Sequence, residues 1–164
     1  MALKTHYEDL LENVKEGILV HGCNAQGKMR SGFAKQLRAT YPKAYNDYKQ
    51  AYDSGQVRVG RVVLSEVPPH CDKFVIANAI TQEFYGTDKD RVYVDYDAIS
   101  TCFMKISRYA IQRGISQIHF PKIGAGLANG DWDRILKIIQ DAVDPSIELN
   151  LWIKPEIPQP LVKE

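Results

Sequence analysis

Cysteine is scarce in this sequence: Cys23, Cys71 and Cys102 are an odd number, far apart among 164 residues. That excludes a disulfide-stapled scaffold and leads us to expect reduced thiols and a cytoplasmic location. Long apolar runs are missing as well. No stretch approaches the ~20 apolar residues of a membrane span, and the opening Met1–His6 lacks the apolar core of a secretory leader. Charge of one sign is not in excess either, with 21 Lys+Arg against 20 Asp+Glu and a formal net charge of +1. A polyanion is therefore not the default partner, and no basic–aromatic stripe argues for strong nucleic-acid binding. Metal-site spacing is also absent. His21-Gly22-Cys23 and His70-Cys71 have neither the C-x2-C nor the H-x3-H pattern of a closed zinc site, so no metal is expected.

What is present alternates between two periods. Gly17–Val20 is a short branched apolar run, the signature of a buried strand. Ser31 can cap a helix through Phe33, Ala34, Leu37 and Ala39 that closes before Pro42, and a tyrosine-rich helix follows over Tyr41–Tyr52. Val57–Val67 and Lys73–Ile80 are expected as strands, and Thr81–Val94 as a polar loop or lid. Asp95 opens the clearest helix: Ile99, Phe103, Ile106 and Ala110 recur at i, i+4, i+7 and i+11, and Gly114 ends it. Ile115–Pro121 is the next strand, Asp131 caps a further helix, and Ile147–Ile153 is the last strand. Strands alternating with helices predict a three-layer α/β/α sandwich around a mixed, mostly parallel sheet. Without repeats or an internal linker, one domain is expected over residues 1–154, with a proline-rich extended tail over 155–164.

In such a sheet, ligands bind beyond the carboxyl ends of the strands, where helix N-termini present free N–H groups. Two strand-to-helix junctions suit that purpose: HGCNAQGKMRSGFA over residues 21–34 and PKIGAGLANGDW over 121–132. Glycine there lets a phosphate approach the amides without meeting a Cβ. Neither junction carries the full dinucleotide fingerprint or the triphosphate-loop ending, which argues against a Rossmann dehydrogenase. Two such turns in one domain suggest a diphosphate held between them.

At these junctions the sequence resembles the macro domain family, whose members bind ADP-ribose. The likeness runs from GILVHGCN to ELNLWI and rests on the strings HGCNxQGxM and PxIGxGL. It is similar above all to the ADP-ribose-1″-phosphate phosphatase branch and to related terminal ADP-ribose glycohydrolases. The resemblance implies that Asp9 accepts from the adenine amino group; a helix cap before Leu10-Leu11 is the other reading of that residue. It implies that Asn24 bonds the distal ribose, where a turn-forming asparagine is the alternative. The amides of Ser31, Gly32 and Phe33, and of Gly124, Ala125, Gly126, Leu127 and Ala128, would hold the two phosphates. The related glycohydrolases use a lysine and an aspartate where this sequence has Gln82 and Ala128, which removes an amine nucleophile and its partner acid.

Hydrolysis of ADP-ribose 1″-phosphate to ADP-ribose and phosphate is therefore the expected activity, with no cofactor or metal. Releasing phosphate needs an activated water and donors for developing charge. His21, at a strand end beside Asn24, is the first acid/base candidate, against the alternative of a packed histidine with a satisfied ring nitrogen. Asp88 is the second, against a solvated loop aspartate. Rival readings are a non-catalytic reader of ADP-ribose or ADP-ribosylated protein, and a hydrolase that removes ADP-ribose from modified macromolecules. A monomer is expected. Arg30 is left as either a phosphate contact or a side chain that narrows the pocket, and Trp152 as either an adenine platform or a core residue.

Overall fold

The apolar run that opens at Gly17 stays in the sheet as far as Asn24, four residues beyond the expected Val20, because His21 and Cys23 are buried as deeply as their apolar neighbours. A computed structural model of the chain describes residues 3–67 and 74–155. Within them the strands are β1 (Leu3–His6), β2 (Gly17–Asn24), β3 (Val62–Glu66), β4 (Phe74–Gln82), β5 (Gln117–Phe120) and β6 (Glu148–Trp152). The helices are α1 (Leu10–Asn13), α2 (Gly32–Thr40), α3 (Pro42–Asp53), α4 (Tyr96–Arg113) and α5 (Trp132–Ala142). The strand order is β1-β6-β5-β2-β4-β3, parallel throughout except where β3 runs against β4. This is the expected sandwich around a mixed, mostly parallel sheet.

Alternation along β2 builds both faces at once. Ile18 and Val20 pack against Ile99, Phe103 and Ile106 of α4 and Ile135 and Ile139 of α5. Leu19 packs the other way, with Leu37 of α2, Ala44 of α3 and Leu10 and Leu11 of α1. The predicted stripe of α4 is the buried one, and each such large side chain contributes about 1.5–3 kcal/mol by leaving water. Its ends are as read from sequence: the Asp95 carboxylate accepts from the Ala98 amide at 3.1 Å, and Gly114 adopts φ +67. Asp131 caps α5 through the amides of Asp133 and Arg134.

Three expectations are corrected or fall elsewhere. Val57–Val67 is strand only over Val62–Glu66, because Gly60 turns the chain at φ +93 just before it. β1 was not anticipated, and α1 only through the alternative reading of Asp9 as a cap before Leu10-Leu11. The tail beyond Pro155, and the His70-Cys71 pair, lie outside the described residues. Among the described residues, no helix is long and apolar enough to cross a membrane.

The sheet positions a site through its crossovers. β2 and β5 are neighbours, yet β2 leads into α2 on one face and β5 into α5 on the other. Chains leaving adjacent strands in opposite directions open a crevice at their carboxyl ends.

Candidate functional site

That crevice is a cleft of about 190 Å³. Residues 21–24 and 28–34 line it from the first junction, 121–124 and 126–128 from the second, with Gln82, Tyr85 and Gly86 between them. A Cβ on Gly32 would stand 3.9 Å from the Leu127 side chain, so the two junctions confront each other across the opening.

The first junction is shaped by an anchor that the sequence did not advertise. The Tyr48 hydroxyl, on α3, donates to the Asn24 carbonyl at 2.6 Å and accepts from the Gly27 amide at 3.0 Å. The Asn24 carboxamide oxygen accepts from the Gln26 amide at 2.9 Å, and its nitrogen donates to the Lys28 carbonyl at 2.9 Å. Asn24 therefore acts first as the turn-forming residue, with one amide hydrogen left over for a ribose hydroxyl. Gly27, at φ +76, lies against the Tyr52 ring, where a Cβ would approach within 2.7 Å. At the entrance to α2, Ser31 occupies the cap position but its side chain makes no capping bond, and Gly32 stands at φ +60. The first-turn amides of α2, Phe33 among them, are thus claimed by no side chain.

The second junction is pinned from below. The Gly130 amide donates to the Gly124 carbonyl at 2.7 Å, and the Tyr93 backbone amide donates to the Ala128 carbonyl at 2.9 Å. Asn129, at φ +60, gives its side-chain amide to the carbonyls of Asp88 and Arg91. The Ala125 amide donates to the Lys122 carbonyl at 3.3 Å, and Ala125 does not line the cleft, so one predicted phosphate donor is already spent. The amides of Gly124, Gly126, Leu127 and Ala128 have no acceptor among the described residues.

Both acid/base candidates depart from expectation. His21 is only 1% exposed, and its Nε2 lies 2.6 Å from the Asn78 carboxamide oxygen. Asn78 gives its own nitrogen to the Val63 carbonyl, which fixes that oxygen toward His21 and assigns the imidazole hydrogen to Nε2. Burial outweighs this bond and lowers the His21 pKa to about 4. At neutral pH the ring is uncharged, with Nδ1 left as an acceptor, so His21 is not a reservoir of protons. The Cys23 thiol, 3.5 Å from Nε2, is pushed up by burial and offers no thiolate. Asp88 is exposed, accepts from the Asp90 amide at 2.9 Å and does not line the cleft; it is the loop aspartate of the competing reading.

Asp9 and Trp152 also lie off the cleft lining. Asp9 caps α1 through the Leu11 amide at 2.9 Å, and its second oxygen meets Lys154 at 3.2 Å. The Trp152 ring stacks on His6, with centroids 4.0 Å apart, and its indole N–H donates to His119. Sequence reasoning passed over Lys28 and Lys122, the two lysines of the cleft lining, although both stand inside the quoted strings. Arg30 lines the cleft, and Gln82 donates to the Phe84 carbonyl at its edge.

The family model of the macro domain matches residues 20–139. The chain belongs to the macro domain family. Its likeness to a DNA ADP-ribosyl glycohydrolase of Thermus aquaticus is 26% identity over 152 residues, 93% of this chain but 41% of that protein. This macro domain thus spans well under half the length of that relative. An uncharacterised 17.5 kDa protein of Enterobacteria phage T4 is 29% identical over 133 residues, covering 80% of this chain and 82% of the phage protein. Among solved structures, a Bacteroides thetaiotaomicron protein of unknown function aligns with a TM-score of 0.83 at 26% identity, over 93% of this chain and 98% of the other. The macrodomain of Thermus aquaticus DarG aligns at 0.78 and 23% identity, over 94% and 99%, a likeness of fold.

Proposed function

We propose that this macro domain binds ADP-ribose and hydrolyses ADP-ribose 1″-phosphate to ADP-ribose and phosphate. The observation that carries the reading is the pair of unclaimed amide sets, at the first turn of α2 and at residues 124 and 126–128, facing each other across one cleft. Donors already fixed in place stabilise phosphate charge without reorganising, and Lys28 and Lys122 add positive charge beside them. The distal ribose lies toward Asn24; there a water attacks C1″, the C1″–O bond to phosphate breaks, the water oxygen becomes the 1″-hydroxyl and one water proton leaves with the phosphate as hydrogen phosphate. His21 contributes as a neutral acceptor that orients a proton on that water, and the loop amides meet the charge of the leaving group. Gln82 carries no amine at the position where the related glycohydrolases place a lysine, which supports direct hydrolysis over a covalent lysine adduct.

A second reading has a specific basis: the Thermus aquaticus relative is named a DNA ADP-ribosyl glycohydrolase. In that reading the bond to C1″ is cut with a nucleobase, rather than phosphate, as the leaving group. The experiment offers purified protein ADP-ribose 1″-phosphate and an ADP-ribosylated DNA oligonucleotide in parallel, with calorimetric titration of ADP-ribose alongside. Phosphate release that His21→Ala abolishes, with ADP-ribose affinity kept, supports the first reading. Loss of label from the oligonucleotide alone supports the second. Micromolar binding with neither reaction makes the chain a reader, and no ADP-ribose binding refutes all three.

A further inference from the structure

The near-neutral total charge conceals a strong local separation. From residue 17 to residue 46 the chain carries Lys28, Arg30, Lys35, Arg38 and Lys43 and no aspartate or glutamate, so the remainder is net acidic. Lys43 is paired with Asp47 at 2.8 Å. Lys28, Arg30, Lys35 and Arg38 have no carboxylate within 4 Å among the described residues. Three of these cations line one groove. Arg30, Lys35 and Arg38 stand around a concavity of about 600 Å³ on the outer side of α2 and α3, floored by Met29, Pro42 and Tyr45. Arg38 is exposed, and its guanidinium carbon lies 3.6 Å from the centroid of the Tyr45 ring. Met29 and Arg30 line both this groove and the cleft, so the two concavities adjoin.

We infer that this groove binds the phosphodiester backbone of single-stranded nucleic acid, in register with the cleft. Three cations along a groove with an apolar floor match a chain of regularly spaced anions joined by sugars. The guanidinium of the exposed Arg38 is of the kind on which an unpaired base stacks. The bases of a single strand are free to meet that apolar floor, whereas those of a duplex are paired and stacked on one another. The strand would pass the loop 24–31, the end of the cleft at which Asn24 stands. The inference goes beyond the proposed hydrolysis and does not require it.

The test follows the anisotropy of a labelled thymidine oligonucleotide of about a dozen residues titrated with the full chain. In single strands each neutralised phosphate contributes a slope of about 0.7 to the logarithmic salt dependence. Three contacts predict that a fourfold rise in salt weakens binding roughly 20-fold. Lys35→Glu with Arg38→Glu should weaken it at least tenfold at low salt and flatten the salt dependence. Lys35→Gln with Arg38→Gln should do so to a lesser degree. Arg108→Glu with Arg113→Glu, exposed on α4, should change the affinity less than twofold. ADP-ribose titration of the groove variants should match wild type, which separates loss of the groove from loss of the cleft or of the fold. No oligonucleotide binding at low salt overturns the inference. So does equal weakening by the α4 pair, equal affinity for duplex, or displacement by polyglutamate at the same charge concentration.

Discussion

Gly126 and Gly130 sit four residues apart in the same loop and predict opposite phenotypes. A Cβ at Gly126 would meet no protein atom within 4 Å, and its φ is not in the left-handed region. Gly126→Val should therefore fold normally, within about 0.5 kcal/mol of wild type. On the proposed reading, its branched side chain would fill the space through which a phosphate reaches the Gly126 and Leu127 amides. Each hydrogen bond to a charged group contributes about 1.5–3 kcal/mol, so losing two removes at least about 3 kcal/mol of binding. At about 1.4 kcal/mol per decade, that is a hundredfold or greater rise in the Kd for ADP-ribose. At Gly130 a Cβ would stand 2.6 Å from the Gly124 carbonyl oxygen and 2.6 Å from a Val94 methyl. Gly130→Ala should cost about 1–3 kcal/mol of stability through overpacking. Calorimetry with ADP-ribose beside thermal melting reads both quantities. A folded Gly126→Val protein that binds within threefold of wild type refutes the assignment of these amides to phosphate.

Acid should destabilise the fold in a defined window. Burial lowers both His21 and His119 from 6.5 to about 4, so above pH 6.5 the rings are neutral in both states and the stability is complete. As pH falls from 6.5 toward 4, the unfolded chain binds protons that the folded chain refuses, at a loss of up to about 3 kcal/mol per ring. Urea midpoints at pH 7, 5.5 and 4.5 measure this, and a flat series contradicts it; His119→Phe should remove about half the slope. Tyr48→Phe should cost about 1–3 kcal/mol by orphaning the Asn24 carbonyl and Gly27 amide, and should weaken ADP-ribose binding as the loop loosens. An unchanged melt and an unchanged affinity together would show that the anchor does not shape the site.

The fold was legible wherever a residue's role is set by its own neighbours in sequence. Ile99, Phe103, Ile106 and Ala110 announce one helical face, and Asp95, Gly114 and Asp131 announce its limits and the next start. The two glycine-bearing junctions were legible for the same reason, since strand, turn and helix follow directly in the chain. The roles of single polar residues were not. His21 is decided by Asn78, 57 residues away, and the Asn24 loop by Tyr48, 24 residues away. In both cases sequence states which bonds a side chain can make, and only tertiary packing states which it has made. Asp9, Asn24 and Asp88 each make the local bond that competes with a functional role, because a bond to an amide two residues along needs almost no chain ordering, and of the three only Asn24 also lines the cleft. The charged groove stayed hidden for another reason: a whole-chain total of +1 averages over the segregation that places it.

Ser31 has a second consequence. A serine in that position ordinarily closes a helix, yet here its hydroxyl leaves the first turn of α2 open, at a cost of about 1 kcal/mol to the empty protein. A bound anion would complete what the chain leaves unfinished and become a structural part of the helix. Fraying of the opening turn, followed by amide hydrogen exchange, would then report the free nucleotide concentration directly, with the protein acting as its own gauge of occupancy.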